Sequence, residues 1–438
     1  MITYIKKASK TPESDEAETR EIVENILKAV RENGDDEILR HYSNKFENWN
    51  KKLILEPEEI EERAKNVPQR VKADLAFAYD QVYNFAVKQR ESMREFETEI
   101  TPGVILGQRL IPCDCAGCYI PGGLFAHAAS AIMSIATAKA AGVPYVVACS
   151  PSHDGETISP AIMCAVSICK PDVFMMMGGA HAIAAMAYGS FTGKPADVIV
   201  GPGNRFVAEA KRQLFGKIGI DVFAGPTESL VIADETADPY MVAIDLMSQA
   251  EHGYDSPVWL VTDSRELAET VMIQMPKVIA DLPETKVATA SWRDYGEVVL
   301  CSTREEMLEV SNNYAAEDVQ VMAEDLDWWL DHLSNYGSLF LGEECTVSYG
   351  DKTTGTNHIL PTNKAARYSG GLSVGKFIKI VTYQRMTRDA SKRIGEVASR
   401  ISRLEGMEGH ARAADIRLRK YFPDDKFDFE LYDPKGKA

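Results

Sequence analysis

Long apolar runs are missing from this 438-residue chain. The most apolar stretch, 131–141, is interrupted by Ser134, Thr137 and Lys139 and is too short to span a bilayer. The opening stretch MITYIKKASKTPESDEAETREIV has no apolar core of the kind a secretory signal carries, and it turns acidic at once. An excess of positive charge is lacking too: 48 Lys and Arg stand against 65 Asp and Glu, a formal net charge of −17. That balance argues against nucleic acid or an anionic membrane as a partner, because both need a cationic face. It leaves room for an anionic small substrate, since one local cation outweighs a distant field that salt screens within roughly 10 Å. Eight cysteines are too few in a chain of this length for a disulfide scaffold, and the expected compartment is the reducing cytoplasm. Walker A, H-E-x-x-H and G-x-S-x-G motifs are absent, as is any internal repeat.

What is present reads as a folded protein of two or more domains, 45% hydrophobic and 26% charged. Three- and four-residue apolar spacing predicts helices over 16–32 and 58–94, the second broken at Pro68, so the first 95 or so residues read as helical. Residues 98–110 suggest a hairpin about Pro102-Gly103. From Cys118 onward apolar strands (145–149, 173–177, 198–200) alternate with helices (158–169, 180–188, 206–215). The alternation resumes after Pro226, with strands at 230–232, 258–261 and 298–300 and helices at 239–250, 266–274 and 305–312. Such alternation across short glycine turns implies α/β architecture with parallel sheets in two units. From Ser369 the chain reads as helical and basic.

Several clusters invite chemistry. Gly201-Pro202-Gly203-Asn204, Tyr119-Ile120-Pro121-Gly122-Gly123 and Gly178-Gly179 all sit at strand ends, where open α/β sheets bind ligands and helix N-termini attract phosphate. Each also serves as a plain tight turn. Cys113-x-Cys115-x-x-Cys118 has no distant second pair and falls where a buried strand begins, so a metal role is not expected. Gln249 and His252 are three residues apart and share a helix face; with Asp351, His358 and His410 they offer N and O donors suited to zinc or manganese. A histidine at a helix end also serves as a cap, and spacing does not make the five converge. Glu317-Asp318 is either solvated surface or, in a cleft, a general base.

The segments GCYIPGG, MGGAHAIAAMAYG, VGPGNRFVAEAKRQ, AGPTESLVIAD, SQAEHG, GDKTTGTNHILPT and LEGMEGHA, in this order, resemble the histidinol dehydrogenase family from about Gly117 to Ala411. AEDLDWWLDHLSNYGSLFLGEECTVSYGDK and YFPDDKFD are similar to the branch of that family acting on 2,3-dihydroxypropane-1-sulfonate. The resemblance implies two incomplete Rossmann-like domains, 25–118 with 228–370 and 119–227, after a helical segment 1–24. It also implies a helical tail, 371–438, swapped in a homodimer. It implies zinc on Gln249, His252 and Asp351 of one subunit and His410 of the other, and NAD at Tyr119, His181 and Asn204. Thr227, Gln249, His252, Lys352, His358, Glu405 and His410 would lie near the substrate. The family oxidises an alcohol through an aldehyde to a carboxylate with two NAD.

Three positions depart from the family pattern. Asp318 replaces the histidine of a Glu-His acid/base pair, leaving Glu317 to activate water. His181 stands where Gln is usual and still offers a donor and an acceptor. Lys352 follows Asp351 where an aromatic is usual; a cation there would oppose histidinol and welcome a sulfonate, unless it points into solvent. Arg367 is a second candidate anion anchor. The expected reaction is oxidation of dihydroxypropanesulfonate to sulfolactate, with histidinol oxidation, another polyol, or a non-catalytic relative as alternatives.

Overall fold

A computed structural model of the chain describes residues 2–10, 16–33, 36–122, 126–152, 155–223 and 225–427. Gly123 of the first glycine turn, Ala224 of AGPTESLVIAD and the last residue of YFPDDKFD lie outside the described residues. By internal contacts the chain forms two units, Met1–Ser92 with Pro112–Ile378, and Met93–Ile111 with Lys379–Ala438.

The strands are, in chain order, β1 (Thr3–Lys6), β2 (Ile54–Leu55), β3 (Phe96–Thr101), β4 (Val104–Pro112), β5 (Ala116–Tyr119), β6 (Val146–Ser150), β7 (Val173–Met176), β8 (Val198–Val200), β9 (Gly219–Ile220), β10 (Ser229–Ala233), β11 (Val258–Thr262), β12 (Glu297–Leu300), β13 (Asp318–Met322), β14 (Ser338–Leu341) and β15 (Ile378–Met386). The first unit holds two six-stranded sheets, ordered β1-β12-β11-β10-β13-β14 and β2-β7-β6-β5-β8-β9. In each, one short edge strand (β1 on β12, β2 on β7) runs antiparallel and the inner strands pair in parallel. The expected α/β architecture with parallel-rich sheets is what the chain adopts.

Continuous burial explains the inner strands. SLVIA of β10 and DVQVM of β13 are buried at every position, as parallel strands covered on both faces must be. Alternation divides them: Leu230 and Ile232 join Val319, Val321 and Trp329 in one core, while Val231 and Ala233 join Val242, Leu246, Leu260 and Val271 in the other. The small-residue helix Ala128–Ala141 is buried on almost all sides, and Gly142 ends it in the left-handed conformation (φ 88°).

Several elements differ from the sequence reading. The amino-terminal stretch read as helical contains β1 and β2, each too short for a two-residue period to register. Pro68 does separate two helices, Pro57–Ala64 and Gln69–Ser92, and Pro102-Gly103 does turn β3 into β4. The tail read as helical from Ser369 contains β15, which is buried only at Ile378 and exposed at most other positions, so it shows no apolar alternation. It completes the second unit's three-stranded sheet, β15-β4-β3, ahead of the helices Arg388–Leu404 and Glu408–Tyr421. No helix among the described residues is long and apolar enough to cross a membrane.

One buried ion pair holds the end of β8. Lys211 Nζ pairs with Asp221 Oδ1 and donates to the Gly201 carbonyl at 3.0 Å, while Gly201 N donates to Asp221 Oδ2 at 2.7 Å. Gly201 has φ +119°, and a Cβ there would overlap the Tyr119 carbonyl at the end of β5, so only glycine fits. Lys211→Met leaves the Asp221 carboxylate buried and uncompensated. It is expected to cost about 3–5 kcal/mol, read as a shift in the urea midpoint, whereas replacing both partners together costs far less.

Candidate active site

A cavity of about 1120 Å³ opens in the first unit between the two sheets' loops. From the second-named sheet it is lined at the carboxyl ends of the strands: Tyr119, Pro121 and Gly122 after β5, Pro151 and Ser152 after β6, Gly179 and Ala180 after β7, and Pro202, Gly203 and Asn204 after β8. From the first-named sheet the lining comes from the amino ends. Thr227 precedes β10, Glu317 precedes and Asp318 begins β13, and Gln249 and His252 lie where the helix Pro239–Ala250 returns toward β11. Asp351, Lys352 and His358 complete that wall.

The three expected metal ligands of this unit are together. His252 Nε2 lies 3.8 Å from Asp351 Oδ2, and Lys352 Nζ lies 3.6 Å from the same oxygen. Gln249 Oε1 is buried and has no hydrogen-bond partner among the described residues. Burial lowers the His252 pKa, and Lys352 adds to this against the pull of Asp351, which favours the neutral imidazole a metal requires. An amide oxygen left bare beside a neutral imidazole and a carboxylate is a donor set that fits zinc. Among the described residues no group of three or more His, Cys, Asp or Glu side chains is gathered for a metal, because the third of these donors is an amide. His410 and Glu405 lie exposed in the second unit, in the helix Glu408–Tyr421 and at the end of Arg388–Leu404.

His358 is held by both ring nitrogens: Nδ1 faces the Asp351 carbonyl at 2.9 Å, and Nε2 faces Ser130 Oγ at 2.9 Å. A carbonyl only accepts, so Nδ1 carries the proton and Nε2 accepts from the hydroxyl. Burial lowers its pKa and keeps the ring neutral.

Glu317 and Asp318 are buried, not the solvated pair their acidity allowed. Burial first, and then the neighbouring Asp318, raises the Glu317 pKa well above the ordinary carboxylate range; burial and Asp351 do the same to Asp318. Glu317 Oε2 accepts from Glu228 N at 3.2 Å, whereas Asp318 Oδ1 has no partner among the described residues. Two residues of this region escaped the sequence reading. Glu228, only 8% exposed, is pushed up to about 7 by burial; a lone acid just ahead of the largely apolar strand SLVIA was its available signal. His127 lines the cavity and is lowered to about 4, by burial first and then by His358. It has no sequence signal beyond being one of eight histidines.

On the other wall Asn204 caps the helix Arg205–Leu214, its Oδ1 accepting from Phe206 N and Val207 N, so that toward a ligand it offers its amide nitrogen. Tyr119 OH accepts from Gly179 N at 3.2 Å. His181 is wholly buried and turned to Ser43 and Glu47, and the cavity is lined at that turn by Gly179 and Ala180. Arg367 is exposed and is not among the lining residues. The thiols of Cys113, Cys115 and Cys118 are buried apart from this site, and burial pushes Cys115 up to about 11 and Cys118 up to about 12.

The family profile described as histidinol dehydrogenase matches residues 9–418. The chain is 57% identical over 429 residues to the sulfopropanediol 3-dehydrogenase of Ruegeria pomeroyi, covering 98% of both proteins. It is 52% identical over 423 residues to a histidinol dehydrogenase homolog of Pelagibacter ubique, covering 96% of this chain and 99% of that protein. The crystal structure of histidinol dehydrogenase from Elizabethkingia anophelis superposes with a TM-score of 0.89 at 31% identity, over 94% of this chain and 95% of that one. With the family profile and these relatives spanning nearly the whole length, the chain belongs to the histidinol dehydrogenase family of oxidoreductases.

Proposed function

We propose that this protein is a zinc- and NAD-dependent dehydrogenase that oxidises the primary alcohol of 2,3-dihydroxypropane-1-sulfonate through the aldehyde to the carboxylate, sulfolactate. The observation that carries the reading is one cavity in which Gln249, His252 and Asp351 face a buried carboxylate pair and four strand ends. The substrate class is supported by the 57% identity to a sulfopropanediol 3-dehydrogenase and by Lys352, a cation beside Asp351 that suits a sulfonate and opposes cationic histidinol.

Zinc would be held by Gln249, His252, Asp351 and the partner subunit's His410, and when bound it supplies Lewis acidity to a substrate hydroxyl. NAD, at the wall formed by Tyr119 and Asn204 and backed by His181, supplies the hydride acceptor for each of the two oxidations. Asp318 Oδ1, which has no hydrogen-bond partner among the described residues, takes the proton of the alcohol hydroxyl. Thr227 orients the substrate against the ring of His358, whose nitrogens stay with Asp351 and Ser130, and Lys352 faces its sulfonate. The aldehyde stays in the cavity while Glu317 takes a proton from the water that adds to it, and the resulting hydrate yields the carboxylate in a second oxidation. Each substrate therefore consumes two NAD and one water.

Residues 228–370 would form most of the domain bearing the zinc ligands and 119–227 the NAD domain; the stretch 25–118, expected with 228–370, instead gives β2 and β5 to the sheet of the NAD domain. A homodimer with exchanged tails, placing Glu405 and His410 at the partner's site, is supported by a bare apolar stripe on the helix Arg388–Leu404. There Ile394, Val397, Ile401 and Leu404 are 37–49% exposed at spacings of three and four residues.

The test follows NADH formation with dihydroxypropanesulfonate and with histidinol, before and after chelation. Two NADH per sulfonate, lost on chelation and restored by zinc, is the expected result. Turnover of histidinol alone, or undiminished turnover after chelation, overturns the reading.

A further inference from the structure

We propose that Glu47 is the residue by which the cavity accepts a free ribose diol and refuses a 2′-phosphorylated one, making the enzyme selective for NAD over NADP. The proposal rests on the reading of this cavity as an NAD site. Glu47 is the last residue of the helix Asp36–Glu47, outside the strand–helix alternation, and it lines the cavity. Its side chain is 8% exposed. Oε1 is fully used: it accepts from Gly178 N at 2.8 Å and lies 3.2 Å from His181 Nε2. These contacts hold the carboxylate against the turn that follows β7, where a Cβ on Gly178 would sit 2.6 Å from Pro151 Cβ.

Oε2, by contrast, has no hydrogen-bond partner among the described residues. A carboxylate oxygen withdrawn from water without a donor is costly, so a donor brought by the ligand completes it. The neighbouring wall says which part of a dinucleotide brings it. Ile22 and Phe46, from the two amino-terminal helices, line the cavity and are 36% and 50% exposed, an apolar surface suited to a base. The reacting ring must lie by Gln249, Asp351 and Glu317, which come from the other sheet, so the wall that includes Glu47 takes the adenosine end. There the available donors are ribose hydroxyls, and a carboxylate accepts from them while repelling a phosphate in the same place. In ordinary dinucleotide folds the acid comes from within the α/β unit, about 20 residues after the glycine turn. Here a preceding helix supplies it.

The test measures NADH and NADPH affinity by fluorescence titration of the purified enzyme, alongside kcat/KM for both oxidised forms. The unaltered protein is expected to prefer NADH by about a hundredfold or more. Glu47→Gln keeps an acceptor for Gly178 N but loses the charge. It is expected to weaken NADH by about tenfold and to tighten NADPH, collapsing the ratio at an unchanged melting temperature. Glu47→Ser serves as the second variant and is expected to move the ratio the same way. Loss of affinity for both nucleotides alike, with the ratio preserved, overturns the role of Glu47 and leaves a structural one. An unaltered protein that binds neither nucleotide overturns the reading of the cavity itself.

Discussion

His252→Ala is expected to strip the metal from the purified protein and to lower kcat by at least about a thousandfold, the several kcal/mol that a Lewis acid contributes to this kind of step. The reason lies in the donor count. Gln249 Oε1 and the Asp351 carboxylate are a neutral and an anionic oxygen, and without the imidazole one subunit keeps too few donors to retain zinc. Loss of the metal also removes a ligand bound only to the folded state, so the melting temperature falls and becomes insensitive to chelator. Elemental analysis of the purified variant, with turnover in zinc-supplemented buffer, gives the reading. A variant that retains one zinc per chain and full turnover would remove His252 from the metal set.

Asp318→Asn is expected to reduce kcat by about 10²–10⁴, the usual worth of a positioned general base, and at the same time to stabilise the chelator-treated protein. Burial and Asp351 hold the Asp318 pKa above the ordinary value of about 3.9, so the folded chain binds this proton more tightly than the unfolded one. Stability contributed at this position is therefore greatest in acid and is lost as pH rises from the unfolded value through the raised folded one. Asn, close in shape and uncharged, lifts that cost, and the difference between variant and parent grows with pH. Activity has the opposite sign. Only the deprotonated carboxylate takes a proton, so kcat rises with pH as Asp318 gives up its proton, and the variant lacks that limb. Glu317→Gln should share the stabilisation but stop the sequence early, giving one NADH per substrate where the parent gives two. Melting curves and pH–rate profiles over the same range test both signs; a variant less stable than its parent at neutral pH, with an unchanged profile, defeats the assignment.

The alternation of strands with helices was legible because short, continuously apolar runs bounded by glycine and proline turns stand out between longer helices, and β5 to β8 and β10 to β12 fall where those runs put them. β1, β2 and β9 are two to four residues long and carry no period of their own; they exist because neighbouring strands offer an edge to pair with. β13 was hidden for a different reason. Asp318 and Gln320 interrupt its apolar pattern, yet both are buried in the sheet, where Gln320 Nε2 donates to the Cys345 carbonyl at 2.9 Å.

The same contrast runs through the site. Sequence by itself established the family and the glycine turns and nominated the donors and the exchange of His for Asp318, since each is a matter of residue type and order. Only the tertiary structure brought Gln249 and His252 to Asp351 across about a hundred intervening residues, because convergence depends on strand order and on which end of each sheet faces the cavity. It likewise decided that one sheet presents its carboxyl ends and the other its amino ends. It exposed the roles open to Glu47, Glu228 and His127, whose chemistry comes from burial and from neighbours distant along the chain.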